Sequence, residues 1–100
     1  MNRIQIFGNL TRDVEIGEKG ETRYAKFTIA SDRSSASDSN TDYFPVVAFG
    51  DMAADLADLR KGVFVKVAGT CRLGKYNERL TVEVVAKRVE RKAPAEERPA

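Results

Sequence analysis

Hydrophobic and polar residues alternate along five stretches of the chain, and each predicts a β-strand with one buried face. In 3–11, Ile4, Ile6, Gly8 and Leu10 fall on one side and Arg3, Gln5, Phe7 and Asn9 on the other. In 22–31, Ala25, Phe27 and Ile29 oppose Tyr24, Lys26 and Thr28. Residues 42–49 read Asp-Tyr-Phe-Pro-Val-Val-Ala-Phe and end at Gly50. Pro45 has no amide to donate, which suits an edge or a bulge. In 63–72, Val63, Val65 and Val67 oppose Phe64, Lys66, Ala68 and Arg72, with a bend marked by Gly69. In 80–89, Leu80, Val82 and Val84 share a face.

The period changes once. Over 51–61, Met52, Leu56 and Leu59 form one stripe of a short helix. Asp51 suits its N-cap, Arg60 and Lys61 its C-terminal end, and Gly62 the residue just beyond. Residues 12–21 are polar, with Gly17 and Gly20 as turn signals. Residues 31–40 are nearly all small and polar, which predicts a flexible loop between the second and third strands. Residues 73–79 predict a short basic hairpin loop, and the charged, proline-containing stretch 91–100 a disordered tail.

Three strands, a helix and two strands are the element order of an OB-fold, a five-stranded Greek-key β-barrel. The helix lies between the third and fourth strands, and its apolar stripe plugs one end. With 100 residues the chain makes one domain, over 1–90. Barrels of this kind bind oligonucleotides or oligosaccharides on one face. A formal charge of +2 is only mildly basic, so placement of charge matters more than its total.

Several classes of chemistry drop out. There is no histidine and a single cysteine, Cys71, so a disulfide framework, a metal-ligand cluster and the commonest general base are all missing. No phosphate loop is present, and Asp51, Asp55 and Asp58 sit on the polar side of the helix, where solvation explains them. We therefore expect no enzyme, no cofactor and no metal. No apolar run approaches the ~20 residues needed to cross a bilayer. The lone cysteine suits a reducing, cytoplasmic setting.

Binding chemistry fares better. Tyr43 and Phe49 are an even number of residues apart, so on a regular strand they share a face with Pro45 and Val47. That face is either an apolar strip for stacking bases or the core itself, with Phe44, Val46 and Ala48 outside. A bulge at Pro45 would break the parity. Tyr76 lies among Arg72, Lys75 and Arg79 in a polar loop, where a ring for stacking and cations for phosphates explain the pattern better than core packing. Arg33, in the Ser-rich loop, is a further cation that a nucleic-acid strand would meet.

In order and spacing, several segments together resemble the bacterial single-stranded DNA-binding protein (SSB) family. They are Gly8-Asn9-Leu10-Thr11-Arg12-Asp13, Phe27-Thr28-Ile29-Ala30, Tyr43 to Gly50, Lys61-Gly62, Val65 to Gly69, Arg72 to Tyr76 and Glu83-Val84-Val85. The resemblance covers roughly residues 1–90. It implies sequence-nonspecific binding of single-stranded DNA in replication, recombination or repair, with Tyr43, Phe49 and Tyr76 stacking on bases. It adds Arg3, Lys26 and Lys66 to the phosphate contacts, and it implies a bacterial, nucleoid-associated protein of chromosomal, plasmid or phage origin. It also implies a homo-oligomer, a tetramer or else a dimer, in which the first strand pairs with its copy and buries Phe7. Departures are specific. Ser31 to Ser37, just after Ala30, lacks the aromatic the family has there, Ala68 stands where the family usually has Glu, and Asp51 where it often has Lys. The acidic, Phe-tipped terminus that recruits partners in the family is not among these residues, so recruitment through it is not expected. Primosomal accessory proteins, which use a similar short fold to dock other proteins, offer a second reading.

Overall fold

The alternating stretches pair edge to edge, and their apolar sides meet in one core. The computed structural model describes residues 1–33 and 40–91. Its elements are β1 (Ile4–Leu10), β2 (Glu15–Lys19), β3 (Thr22–Asp32), β4 (Thr41–Phe49), α1 (Asp51–Asp55), β5 (Phe64–Tyr76) and β6 (Arg79–Arg91). The sheet order is β1-β5-β6-β4-β3-β2, and a β1–β3 pairing closes it into a barrel. Every ladder is antiparallel except β4–β6, where Val46 lies beside Val84 and Val47 beside Val85. This is the OB-fold topology that the element order predicts.

The sheet has six strands where the alternation predicts five. The addition is β2, which falls in the stretch expected to be a polar turn. It runs along β3 from Glu15↔Lys26 to Lys19↔Thr22, while the end of β1 runs along β3 at Asn9↔Ala30 and Leu10↔Ile29. The two segments thus share one position in the barrel. Between them the chain turns toward the segment after the helix. The Leu10 amide donates to the Val63 carbonyl at 3.0 Å, the Gly62 amide to the Leu10 carbonyl at 2.8 Å and the Val14 amide to the Leu59 carbonyl at 3.1 Å. The Asp13 carboxylate accepts the Lys61 amide at 2.8 Å. Side chains alone do not reveal β2, because backbone pairing rather than burial holds it: only Gly17 is even half-buried.

Ile6, Leu10, Phe27, Ile29, Val46, Val65, Val67 and Val84 fill the core, and Leu56 and Leu59 close one end with partly buried Met52. Each such fully buried side chain contributes about 1.5–3 kcal/mol. The helix is shorter than its stripe suggests. Only 51–55 is helical, turns follow at 56–58, and Gly50 rather than Asp51 occupies the N-cap, with no side-chain cap. Gly62, at φ +92°, redirects the chain into β5, but the helix ends at Asp55 with its C-cap at Leu56, so neither Gly62 nor Arg60 and Lys61 stand at the helix terminus expected of them.

The expected basic loop 73–79 is mostly strand. Tyr76 pairs with Arg79, and the turn is Asn77-Glu78, with φ of 49° and 64°. Two left-handed residues match the type I′ turn that suits twisted hairpins. β6 continues through Arg91, one residue past the expected domain limit. The rest of the expected tail, and residues 34–39 of the expected flexible loop, lie outside the described residues.

Gly69 sits where the β5–β6 register shifts, and a Cβ there would stand 2.0 Å from the Val85 carbonyl oxygen. Gly69→Ala is expected to cost about 1–3 kcal/mol in denaturant unfolding, because backbone must move to admit the methyl group. Arg91 closes the barrel end by donating to the Asp58 carboxylate at 3.0 Å and to the Asp55 carbonyl at 3.3 Å. The hydrogen bond and charge of Arg91 hold the Asp58 carboxyl below the usual carboxylate range. A folded-state value below the unfolded one stabilises the fold above about pH 4 and ceases to do so as pH falls through the folded value. The melting-temperature gap between wild type and Arg91→Ala should therefore narrow as the pH drops below about 4.

Candidate nucleic-acid interface

Strand β4 supplies the centre of the surface. Its ladder with β3 runs unbroken from Tyr24↔Phe49 to Asp32↔Thr41, so Pro45 introduces no bulge and the parity holds. Val46 and Ala48 are buried, and Phe44 packs against the core. Tyr43, Pro45 and Phe49 consequently face outward, with Tyr43 65% and Phe49 42% exposed, while Val47 on the same side is buried beneath its neighbours. Of the two orientations the spacing allows, the aromatic strip is the outer one. Large rings left this open to water are unusual in a core-forming strand and suit a stacking partner.

Neighbouring strands extend the same face. Cross-strand registry sets Tyr24 beside Phe49 and Lys26 beside Val47. The Lys26 ammonium lies 5.1 Å from the centre of the Tyr24 ring, within cation–π range. On the other side β6 places Val85 beside Val47, and Glu83 follows on that face. Arg72 pairs with Glu83 across β5–β6, and the two side chains form an ion pair.

Two shallow grooves, of about 570 and 660 Å³, run along this face. The first passes Thr28, Tyr43 and Pro45; the second passes Tyr24, Phe49 and Arg72. Lys26 and Glu83 line both. The charge lining the grooves is balanced rather than basic. Arg12, Lys19, Lys26 and Arg72 are matched by Asp13, Glu15, Glu18 and Glu83. The acidic β2 strand, invisible as a strand in the sequence, supplies two of these carboxylates.

The β5–β6 arm splits the expected cluster around Tyr76. Alternation puts Arg72, Tyr76 and its partner Arg79 on one side, and Tyr76 is 72% exposed there. Lys75 falls on the opposite side with Leu73, Val82 and its partner Leu80, all exposed. A ring between three cations is therefore corrected to a ring between two.

The remaining expected residues lie elsewhere. Arg33 donates from Nε and Nη2 to the Asp42 carboxylate at 3.0–3.3 Å, so its expected phosphate role competes with a fork-like pairing to a carboxylate. Lys66 lies 5.8 Å above the Phe7 ring and lines a separate hollow with Gln5 and Arg88. Phe7 is half-buried within its own chain, stacked on Phe64 with ring centres 6.2 Å apart. Arg3 is exposed ahead of β1, apart from both grooves. The surface residues that the sequence did not flag include Tyr24, Glu83 and the charged residues that β2 and the segment before it bring to the grooves. For Tyr24 a signal existed: an aromatic residue on the polar side of an alternating strand.

Comparisons with known proteins agree with this fold. The model of the single-strand binding protein family matches residues 1–92. The single-stranded DNA-binding protein of Staphylococcus epidermidis is 34% identical over 78% of this chain and 63% of its own length. That of Clostridium perfringens is 32% identical over 85% of this chain and 61% of its own. The chain thus spans less than two thirds of these relatives. The crystal structure of wild-type single-stranded DNA binding protein from Thermus aquaticus superposes with a TM-score of 0.79 at 27% identity, covering 100% of this chain and 43% of that one.

Because Tyr43 and Tyr76 are exposed, replacing either by Ala should change unfolding free energy by no more than about 0.5 kcal/mol. Phe27→Ala, in the core, should cost about 3–5 kcal/mol in the same assay.

Proposed function

The chain belongs to the single-strand binding protein family, and we propose that the outer face of β3, β4 and the β5–β6 arm binds single-stranded DNA without sequence preference. The observation that carries this is the outward set of Tyr43, Pro45 and Phe49 over buried Val47, extended by Tyr76 on the arm. A single strand exposes its base faces, which every sequence shares, and stacking on such rings is worth about 1–3 kcal/mol per base. Lys26 and Arg79 lie on the same face and pair with phosphates, with Arg3, Lys66 and Lys75 contributing as the strand wraps beyond it. This is binding without catalysis, as the family assignment also has it. Its setting is replication, recombination or repair in a bacterial cytoplasm.

The protein acts as a homo-oligomer. One edge of β1 is taken by β5 over Ile4–Asn9, but the other meets β3 only at Asn9 and Leu10. The open part of that edge suits pairing with a second copy, and Phe7 lies beside it. A second reading, docking of other proteins, is favoured by exposed Leu73, Leu80 and Val82 on the far side of the arm.

Anisotropy titration of labelled dT oligomers against matched duplex tests the first reading. Wild type should bind the single strand far more tightly, and Tyr43→Ala and Tyr76→Ala should each lose about 1–3 kcal/mol of binding. Equal binding to duplex, or no loss in either variant, would favour docking instead.

A further inference from the structure

Glu83 is out of place in a groove meant for phosphates. It lines both grooves where they meet, beside the aromatic strip. Its side chain is only 30% exposed, against 58% for its ion-pair partner Arg72. A phosphate that took the Arg72 donor now on Glu83 would leave the carboxylate half-buried and unpaired, and one that took the remaining guanidinium N–H groups would set a second anion beside it. Either is costly. Both penalties vanish if Arg72 binds no phosphate.

We propose that Glu83 withholds Arg72 from phosphate, so that the Arg72–Glu83 pair adds no net charge beside Lys26 and receives a base edge. The inference rests on the single-strand reading above. The pair presents guanidinium donors and carboxylate acceptors side by side, which suits the mixed donor and acceptor edges of nucleobases and not the acceptor-only phosphate. Arg72, expected from the sequence to be a phosphate ligand, is instead the partner that keeps Glu83 in place. The strand is held mainly by stacking at this point, and its affinity depends less on salt than the number of nearby cations suggests.

The test is the salt dependence of dT-oligomer binding in wild type, Glu83→Gln and the double variant Arg72→Gln/Glu83→Gln. Thermal unfolding of each checks the fold. Glu83→Gln keeps the size of the side chain and frees Arg72. Binding should tighten several-fold, and the slope of log affinity against log salt should steepen by about 0.7, the increment for one more phosphate on a single strand. The double variant removes both charges and should keep the wild-type slope. An unchanged slope or weaker binding in Glu83→Gln would overturn the proposal, as would a double variant shallower than wild type by about 0.7, since Arg72 would then already hold a phosphate. Either failure leaves wild-type binding intact and the single-strand reading standing. If wild type does not bind the oligomer, both fall.

Discussion

The unbroken ladder between β3 and β4 is the constraint on which the surface depends. Side chains on a strand alternate with a period of two, so a slip of one residue would exchange every inward and outward position. Burial of Val46 and Ala48 against Ala25, Phe27 and Ile29 fixes the register from inside. The same register then has no choice but to put Tyr43, Pro45 and Phe49 on the outer side, with Val47 buried between them. Pro45 is tolerated because it interrupts no pairing: Thr28 remains opposite it and the ladder continues on both sides. Core packing and exposure of the aromatic strip are thus one decision, made by the same nine residues.

What the alternation encodes is legible because burial enforces it. The inward sets of β1, β3 and β5 can be read directly from the sequence, as can the Met52, Leu56 and Leu59 plug, whereas the spacing in β4 allows either face to be the inner one until the ladder is placed. Elements held by backbone rather than by burial cannot. Glu15–Lys19 carries one exposed isoleucine and no alternation that matters to the core, so β2 looks like a turn until β3 is placed beside it. The arm departs from the expected loop for a related reason. Its residues project past the barrel, and the two-residue turn at Asn77-Glu78 rests on backbone angles rather than on glycine.

Within the candidate surface, the aromatic residues are easier to anticipate than the charges. A strand that turns several large rings toward water marks a binding surface, whereas a cation can be matched by a carboxylate far along the chain. Arg33 meets Asp42 and Arg72 meets Glu83 only after the strands pair. Lys75 leaves the Tyr76 side because strand geometry, not a loop, governs the arm. The grooves that result are balanced in charge, which shifts the expected source of affinity from phosphate attraction toward stacking on a sheet whose shape is fixed by its core.

The most direct measurement is a two-dimensional amide NMR titration of the protein with a short dT oligomer. The account predicts shifts concentrated at Tyr24, Lys26, Tyr43, Phe49, Tyr76 and Arg79, with little change at Leu73, Leu80 and Val82. Shifts confined to the Leu73, Leu80 and Val82 side of the arm, or spread evenly over the surface, would contradict it.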